Sequence, residues 1–331
     1  MWSLCRKRLL KNAKITPILS KTLSTTTCAR NELQIQNGSI KNITVVGGGI
    51  MGSGIAQVSA QSGFKVVVVD TDEYTQSCMV SIIKSLNIIA KKKFPDEPKG
   101  GRKFIDDVLN NIKTTQHLEN GLQNTDLVVE AVLENLPIKQ EIFKKIDEIT
   151  ANKDVIFASN TSSLSIDEIG KYISYPERFA GLHFFNPVWK MKLTEVVKAS
   201  KTSNATMDKL TAFSKDLGKT PVISYDNLGF IVNRLMVPYL MESLRFLERG
   251  HASVKDIDTA MRLGAGYPMG PFEIIDIIGL DIVKSIVDGW HSKEPENPLF
   301  FPSEILNNLV LEQKLGRKTG IGFYKYKHTM Y

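Results

Sequence analysis

The chain has 331 residues, of which 42% are hydrophobic, and a formal net charge of +7. This length and composition suffice for two folded domains with real cores. Seven of the basic residues lie in the first 31 positions, where no acidic residue occurs, and the other 35 balance the 35 acidic residues. The charge therefore does not indicate a nucleic-acid-binding surface, and we expect no nucleic-acid partner.

The segment 1–31 is basic and rich in Ser and Thr, and apolar residues such as Leu9 and Leu10 occur among its basic residues. This composition is typical of a mitochondrial transit peptide. A secretory signal would need an unbroken apolar run, which Lys11 and Lys14 interrupt. We therefore expect a cleaved presequence over 1–31 and a protein of the mitochondrial matrix, with a disordered basic arm as the alternative.

Cysteine usage fits a reduced compartment. Cys5 and Cys28 fall in the expected presequence, so Cys78 remains as the single cysteine of the mature chain and cannot form an internal disulfide. No Cys/His cluster has the spacing of zinc ligands. No apolar stretch approaches the roughly 18 residues needed to cross a bilayer. We expect no bound metal and no membrane insertion.

A glycine-rich turn follows the first β-branched run, Asn42–Val46. Gly47 permits the tight turn, Gly49 lets a pyrophosphate approach the backbone, and Gly52 lets helix pack on strand. A helix from about Met51 would present its free N–H groups to the phosphates. The turn predicts a dinucleotide site. Its expected cofactor contacts are Gly47, Gly48, Gly49, Ile50, Met51 and Gly52.

An acidic residue ends the next apolar strand, Lys65–Asp70. Asp70 comes 23 residues after Gly47, close to the roughly 20-residue spacing of the carboxylate that binds the adenosine ribose hydroxyls. A carboxylate at this place repels a 2′-phosphate. The pattern therefore favours NAD over NADP as the cofactor.

Further strand–helix units continue the pattern, and polar residues follow where the strands end. Ligands of open α/β sheets bind outside the carboxyl ends of the strands, so we expect these polar residues to meet in one crevice. They are Glu134, Ser162, His183 and Asn186. The predicted elements are strands at Thr125–Val132, Asp154–Ser159, Phe179–Phe185 and Leu193–Val197, and a helix at Ile138–Ile149.

Helical patterns replace strand patterns after about Tyr225. The fold class expected is an α/β Rossmann-type NAD-binding domain with a protruding helical hairpin, over 41–226, followed by an all-α domain over 227–331. The apolar helices exceed what one small domain needs, which suggests a homodimer. The hairpin helices are expected at Thr75–Lys93 and Arg102–Asn111, and the later helices at Phe230–Arg249, Val254–Met261, Phe272–Trp290 and Ser303–Lys314.

His183 stands out among five histidines because it lies between apolar neighbours at a strand end. On position alone, an ordinary core histidine is an equally good interpretation. Glu195 lies twelve residues further on a strand of its own, so that neighbouring strands could place its carboxylate against the imidazole. Such a pair stabilises the imidazolium formed when histidine takes a proton. Histidine ordinarily titrates near neutral pH, which suits oxidation of a secondary alcohol.

Six long motifs occur along the chain: Gly47–Gln57, Ala158–Leu164, Arg178–Pro187, Gly229–Leu235, Gly264–Glu273 and Lys318–Tyr326. In this order they resemble the L-3-hydroxyacyl-CoA dehydrogenase family, and within it the short monofunctional mitochondrial enzymes most closely. The resemblance covers essentially 41–327.

The resemblance implies reversible oxidation of L-3-hydroxyacyl-CoA to 3-ketoacyl-CoA with NAD, a step of fatty-acid β-oxidation. It implies that His183 is the base and Glu195 its partner, and that Ser162 and Asn233 hydrogen-bond the reacting end of the substrate. It also implies two sets of binding contacts. Those on the cofactor side are Asp70, Glu134, Lys139, Ser162, Asn186 and Lys318, and those to the CoA substrate are Ser85, Lys92 and Ser162.

Two other functions remain as alternatives. One is a related two-domain dehydrogenase that acts on a small 3-hydroxy acid; the His183–Glu195 pair argues against it, since such relatives generally use lysine. The other is a non-enzymatic, crystallin-like structural protein, which would have little use for a mitochondrial presequence.

Overall fold

The computed structural model describes residues 40–151 and 154–326. The expected presequence, with Cys5 and Cys28, lies outside the described residues, as does the chain beyond Tyr326. Within the described part, eight strands form one sheet. They are β1 (Asn42–Val46), β2 (Lys65–Val69), β3 (Ile112–Thr115), β4 (Leu127–Glu130), β5 (Ile156–Ser159), β6 (Phe179–Phe184), β7 (Leu193–Lys198) and β8 (Thr220–Tyr225).

The strand order is β3-β2-β1-β4-β5-β6-β7-β8. All neighbouring pairs are parallel except β6 and β7. The first six strands thus have the doubly wound Rossmann order, and the direction of winding reverses between β1 and β4. A crevice forms outside the carboxyl ends of these strands, which is where open α/β sheets bind their ligands.

Seven helices accompany the sheet in the described part of the chain, and five follow its last strand. The first group is α1 (Ile50–Gln61), α2 (Asp72–Lys93), α3 (Pro98–Leu109), α4 (Leu118–Gly121), α5 (Leu136–Thr150), α6 (Ile166–Ile169) and α7 (Asn204–Asp216). The second is α8 (Val232–Glu248), α9 (Val254–Gly264), α10 (Pro271–Ile278), α11 (Leu280–Lys293) and α12 (Glu304–Leu311).

The central strands β4, β5 and β6 are buried on both faces, as their mostly apolar sequences require. In β4, Leu127 and Val129 point into one core, which also holds residues of α1 and α7, while Val128 points into the other, beside Phe143 of α5. Successive side chains of a strand face opposite sides. Helices on both faces therefore hold the carboxyl ends of the strands in fixed positions.

The expected hairpin is formed by α2 and α3. Its inner side chains, Cys78, Ile82 and Leu86, belong to the core that lies against the sheet. The hairpin is therefore anchored along α2, while the last turn of that helix, Lys91–Lys93, is exposed.

The five later helices enclose a separate apolar core. In α8 the buried residues Val237, Leu240, Met241 and Leu244 recur at the spacing of one helical face. The expected fold class is confirmed: a Rossmann-type sheet domain precedes an all-helical part. The division at 226/227 stays a prediction. None of the described helices is long and apolar enough to cross a membrane.

Some predicted elements differ from the structure. The single helix expected over Phe272–Trp290 is wrong, because Gly279 adopts a φ of 104° and separates α10 from α11. The strand β8 was not predicted; it contains Pro221 and lies at the edge of the sheet, where a missing N–H is tolerated. Four further elements, β3, α4, α6 and α7, were not predicted either.

Candidate active site

The glycine turn connects β1 to α1 at the point where the sheet reverses. A Cβ on Gly47 would lie 2.6 Å from the Ala131 carbonyl oxygen, and one on Gly52 only 1.7 Å from the Gly47 carbonyl oxygen. Both glycines are therefore required by the packing of the turn itself. A Cβ on Gly49 would meet no atom within 4 Å. The open space at Gly49, beside the N-terminus of α1, fits the pyrophosphate of a dinucleotide.

Asp70 follows β2 and contacts the same turn. Its Oδ2 accepts a hydrogen bond from the Gly48 N–H at 2.6 Å, and its Oδ1 accepts one from the Thr71 N–H at 2.7 Å. The carboxylate therefore lies at the place that the sequence predicted for it, fixed against the backbone of the turn.

The antiparallel register of β6 and β7 places His183 directly opposite Glu195. The imidazole Nδ1 lies 2.7 Å from Glu195 Oε2, and the glutamate is completely buried. Cross-strand neighbours of this kind have side chains within contact distance. The carboxylate engages Nδ1 and thereby leaves Nε2 as the nitrogen that can exchange a proton with a substrate.

The other oxygen of Glu195 binds the start of α8. Its Oε1 accepts hydrogen bonds from the N–H groups of Ile231, at 3.1 Å, and Val232, at 2.9 Å. Free N–H groups and the helix dipole make a helix N-terminus favourable for a negative charge. The first turn of the helical domain therefore stabilises the carboxylate that holds the histidine.

A left-handed turn delivers these N–H groups. Gly229 and Phe230 have φ angles of 80° and 53°, an uncommon conformation for a phenylalanine. The Phe230 ring is buried and lies 5.8 Å from the His183 ring, centroid to centroid, while the Phe185 ring lies 4.4 Å away. The two aromatic rings restrict the imidazole to one orientation.

Glu134 organises the loop that follows β5. Its Oε1 accepts hydrogen bonds from Thr161 Oγ1 at 2.6 Å, from the Ser162 N–H at 3.0 Å and from the Ser163 N–H at 3.2 Å. Burial alone would raise the pKa of Glu134, but the charge of Lys139 and these hydrogen bonds outweigh it and hold the pKa below the ordinary value. The ionised glutamate thus fixes the backbone at Ser162.

Asn233 joins this loop to the helical domain. Its Nδ2 donates to the Ser162 carbonyl oxygen at 3.1 Å. The amide of Asn233, on the first turn of α8, therefore lies beside Ser162; the role of the two residues toward a substrate stays a prediction.

Lys139 is almost completely buried and is paired with two glutamates. Its Nζ lies 2.6 Å from Glu130 Oε1 and 3.3 Å from Glu134 Oε2. Glu130 is itself fully buried, and its Oε2 accepts a hydrogen bond from Ser159 Oγ at 2.6 Å. Lys139 is thus held between the end of β4 and the Glu134 loop.

A cavity of about 340 Å³ collects most of the predicted residues. Glu195 contacts His183 but does not line the cavity. Of the glycine turn, Met51 lines the cavity, whereas the glycines and Asp70 do not. The predicted residues that line it are Met51, Glu134, Lys139, Ser162, His183, Asn186 and Asn233.

Three predicted residues lie elsewhere. Lys318 forms an ion pair with Asp281 of α11, Nζ to Oδ1 at 2.6 Å. On α2, Ser85 donates hydrogen bonds to the Gln57 side chain and to the Ile82 carbonyl oxygen. Lys92 is exposed on the last turn of α2.

Sequence reasoning missed the supporting polar residues. Glu130 and Ser159 were absorbed into apolar strand patterns, although a charged residue that ends a buried strand is a usable signal. Asn160 gives no such signal, yet its Oδ1 accepts a hydrogen bond from the Phe184 N–H at 2.9 Å and connects β5 to β6 beside His183. Within the described residues, no group of three or more His, Cys, Asp or Glu is placed to hold a metal ion.

Two family models match almost the whole described chain. The NAD binding domain of 3-hydroxyacyl-CoA dehydrogenase matches residues 42–227, and the C-terminal domain of the same enzyme matches residues 229–326. The chain belongs to the 3-hydroxyacyl-CoA dehydrogenase family. It is an NAD-dependent oxidoreductase, and the reaction of its family is the oxidation of 3-hydroxyacyl-CoA.

Individual relatives agree. The chain is 55% identical to the human mitochondrial hydroxyacyl-coenzyme A dehydrogenase over 289 residues, which is 87% of this chain and 92% of the human protein. It is 38% identical to the 3-hydroxybutyryl-CoA dehydrogenase of Clostridioides difficile, over 86% of this chain and 99% of that protein. These matches favour a CoA thioester over a small 3-hydroxy acid, and an enzyme over a structural protein.

The fold comparison gives the same result. The crystal structure of the (S)-3-hydroxybutyryl-CoA dehydrogenase of Ralstonia eutropha superposes with a TM-score of 0.82 and 38% identity. The superposition covers 88% of this chain and all of that one. The Rossmann domain and the helical domain thus occur in this family in the same arrangement.

Proposed function

We propose that the protein catalyses the reversible oxidation of L-3-hydroxyacyl-CoA to 3-ketoacyl-CoA, with His183 as the general base and Glu195 as its partner. The observation that carries the proposal is the 2.7 Å contact between His183 Nδ1 and Glu195 Oε2 at the wall of a cavity that also includes Met51 of the glycine turn. A proton acceptor and a nicotinamide site meet there, and alcohol oxidation needs both.

In this mechanism, His183 Nε2 takes the proton of the substrate hydroxyl. NAD held at the glycine turn would supply the acceptor for the hydride that leaves C3. Glu195 fixes the orientation of the ring and stabilises the imidazolium that forms. Ser162 and Asn233, linked to each other by the 3.1 Å hydrogen bond, orient the reacting end of the substrate. In the forward direction the ketone is then released. In the reverse direction it is reduced, and His183 Nε2 returns the proton.

We assign the cofactor contacts to the residues around the glycine turn and the neighbouring strand ends. Asp70 is placed to bind the adenosine ribose, and Glu134, Lys139 and Asn186 surround the cavity where the nicotinamide would lie. Lys318 is assigned as the contact from the helical domain; its partner Asp281 lines the same groove as Ser162.

The CoA contacts are assigned to α2. Lys91–Lys93 form its exposed last turn, and three ammonium groups there suit the phosphates of CoA. Ser85 lies two turns earlier on the same helix.

We infer that the boundary between the two domains falls at 226/227. We also infer that the helical domain forms a homodimer. The exposed side chains Leu235, Leu263 and Tyr267 support the homodimer, at 70%, 83% and 46% exposure, because an interface would bury apolar surface that is otherwise in contact with water. Light scattering after size exclusion should give twice the mass of the mature chain, and the monomer mass would contradict the inference.

We also infer import into the mitochondrial matrix and removal of a presequence within 1–31. The mitochondrial relatives and the basic, acid-free composition of this segment support it. Mass spectrometry of the protein purified from mitochondria should find a new N-terminus; a chain that still began at Met1 would contradict it.

The replacement His183→Gln tests the catalytic assignment. It should lower kcat for NADH oxidation with acetoacetyl-CoA by on the order of 1,000-fold, since the group that donates the proton to the ketone in this direction is lost, while NADH binding followed by fluorescence changes little. His117→Gln, at an exposed histidine, is the matched control and should keep full activity. Near-normal turnover in His183→Gln would remove His183 from the role.

A further inference from the structure

A second groove, of about 600 Å³, adjoins the reaction cavity. Glu134 and Ser162 line both. The groove continues from this shared wall between the loop after β5 and the helix α11. Most of the residues that line this groove take no part in the proposed reaction.

One face of α11 forms a wall of the groove. Its lining residues recur at intervals of three and four, as expected for a single helical face. Over the eleven steps from Ile282 to Lys293 the helix rises by about 16 Å. The residues of this face are Ile282, Ser285, Ile286, Gly289, Trp290 and Lys293.

The walls of the groove are mostly apolar, and the charged residues among them are ion-paired. Leu164 and Leu228 lie across from α11 in the lining of the groove. Its charged residues each have a partner: Lys293 lies 2.9 Å from Glu168, and Asp281 lies 2.6 Å from Lys318. Glu134, which was described above, pairs with Lys139 in the same way. These pairs offset the charges of the lining, and most of the remaining exposed surface is hydrocarbon.

Two small residues on α11, Ser285 and Gly289, leave space for a ligand in the groove. A Cβ on Gly289 would meet no atom within 4 Å, and the backbone of Gly289 is ordinary helix. Ser285 lies one turn earlier on the same face. A larger side chain at either position would project into the groove without disturbing the packing behind it.

The ligand that fits this surface is a hydrocarbon chain. Ribose hydroxyls and phosphates of NAD or CoA would lose their hydrogen bonds to water against Ile282, Ile286 and Trp290, which is unfavourable. An acyl tail would instead gain by burial. We propose that the groove binds the acyl chain of the substrate and that Ser285 and Gly289 set the chain length accepted. The proposal rests on the proposed function, because it takes the reacting carbons to lie beside Ser162.

The test compares chain lengths in variants that narrow the groove. For Gly289→Leu, kcat/KM with 3-ketopalmitoyl-CoA should fall about tenfold or more relative to acetoacetyl-CoA, since removal of even one methylene contact in an apolar pocket is worth about that much. Activity with acetoacetyl-CoA and the KM for NADH should stay near the wild-type values. Gly264→Leu adds the same side chain in open space on α9 and should leave the ratio unchanged.

A second variant removes apolar surface instead of adding bulk. Ile282→Ser, at a side chain that is 45% exposed, should also lower the preference for the long chain. Unchanged chain-length ratios in both variants would overturn the proposal, as would a higher KM for NADH in Gly289→Leu without any change of ratio. Wild-type protein that is inactive with acetoacetyl-CoA would instead refute the proposed function itself.

Discussion

Two buried glutamates, Glu195 in β7 and Glu130 at the end of β4, are held in different ways. Both are fully buried, and each accepts three hydrogen bonds. Glu130 is paired with the ammonium group of Lys139, whereas Glu195 is hydrogen-bonded to an imidazole and to the N-terminus of a helix. The partner of Glu130 brings a charge of its own, whereas the imidazole becomes positive only when it takes up a proton.

This difference distinguishes a structural role from a catalytic role. A buried carboxylate with a fully charged partner is already stabilised by that partner in the resting protein. Proton transfer elsewhere in the site does not increase this stabilisation. A carboxylate whose partner is an imidazole is stabilised further at the moment when that ring becomes an imidazolium. We therefore assign Glu195 to catalysis and Glu130 to holding Lys139 and the loop after β5.

The largest expected effect is that of Glu195→Gln on turnover. The amide can still hydrogen-bond His183 but cannot stabilise the imidazolium, so kcat should fall on the order of 1,000-fold. The KM for NADH should change little. A loss of less than tenfold would place the stabilising charge elsewhere.

The next effect concerns stability. Lys139→Met should lower the free energy of unfolding by about 3 kcal/mol, because it leaves Glu130 as a buried charge without its ammonium partner. The double variant Glu130→Gln/Lys139→Met should be destabilised by clearly less than the sum of the two single changes, measured by urea unfolding. Additive losses would mean that the two side chains do not act as a pair.

The smallest expected effect is a pH dependence at Glu134. The pKa of Glu134 is lower in the folded protein than its ordinary value of 4.5. Its contribution to stability is therefore fully present above that value and is lost as the pH falls through the lower, folded-state pKa. The difference in unfolding free energy between wild type and Glu134→Gln should shrink from pH 7 to pH 3, and a constant difference would contradict the assignment.

Local patterns of the sequence predicted much of this molecule. The glycine turn, Asp70 and the parallel strands are short-range features, since each depends on residues within one strand–helix unit. The His183–Glu195 contact was also within reach, because two apolar strands with one polar residue each suggest a cross-strand pair. The break at Gly279 was not, because the apolar pattern continues through it while only the positive φ ends the helix.

Long-range contacts account for the rest. The helix N-terminus that binds Glu195 depends on the left-handed turn at Gly229 and Phe230, and nothing in the sequence near Glu195 indicates it. The apolar groove likewise needs a loop after β5 and a helix more than a hundred residues later. Such sites become visible only when both domains are placed together.

The most direct test of the account measures kcat and the free energy of unfolding for the same substitution at both glutamates. Glu195→Gln should lose nearly all turnover with acetoacetyl-CoA, and Glu130→Gln should lose mainly stability while its folded fraction turns over within about tenfold of wild type. The opposite order, with the greater loss of kcat in Glu130→Gln, would contradict the assignment of Glu195 to the reacting proton.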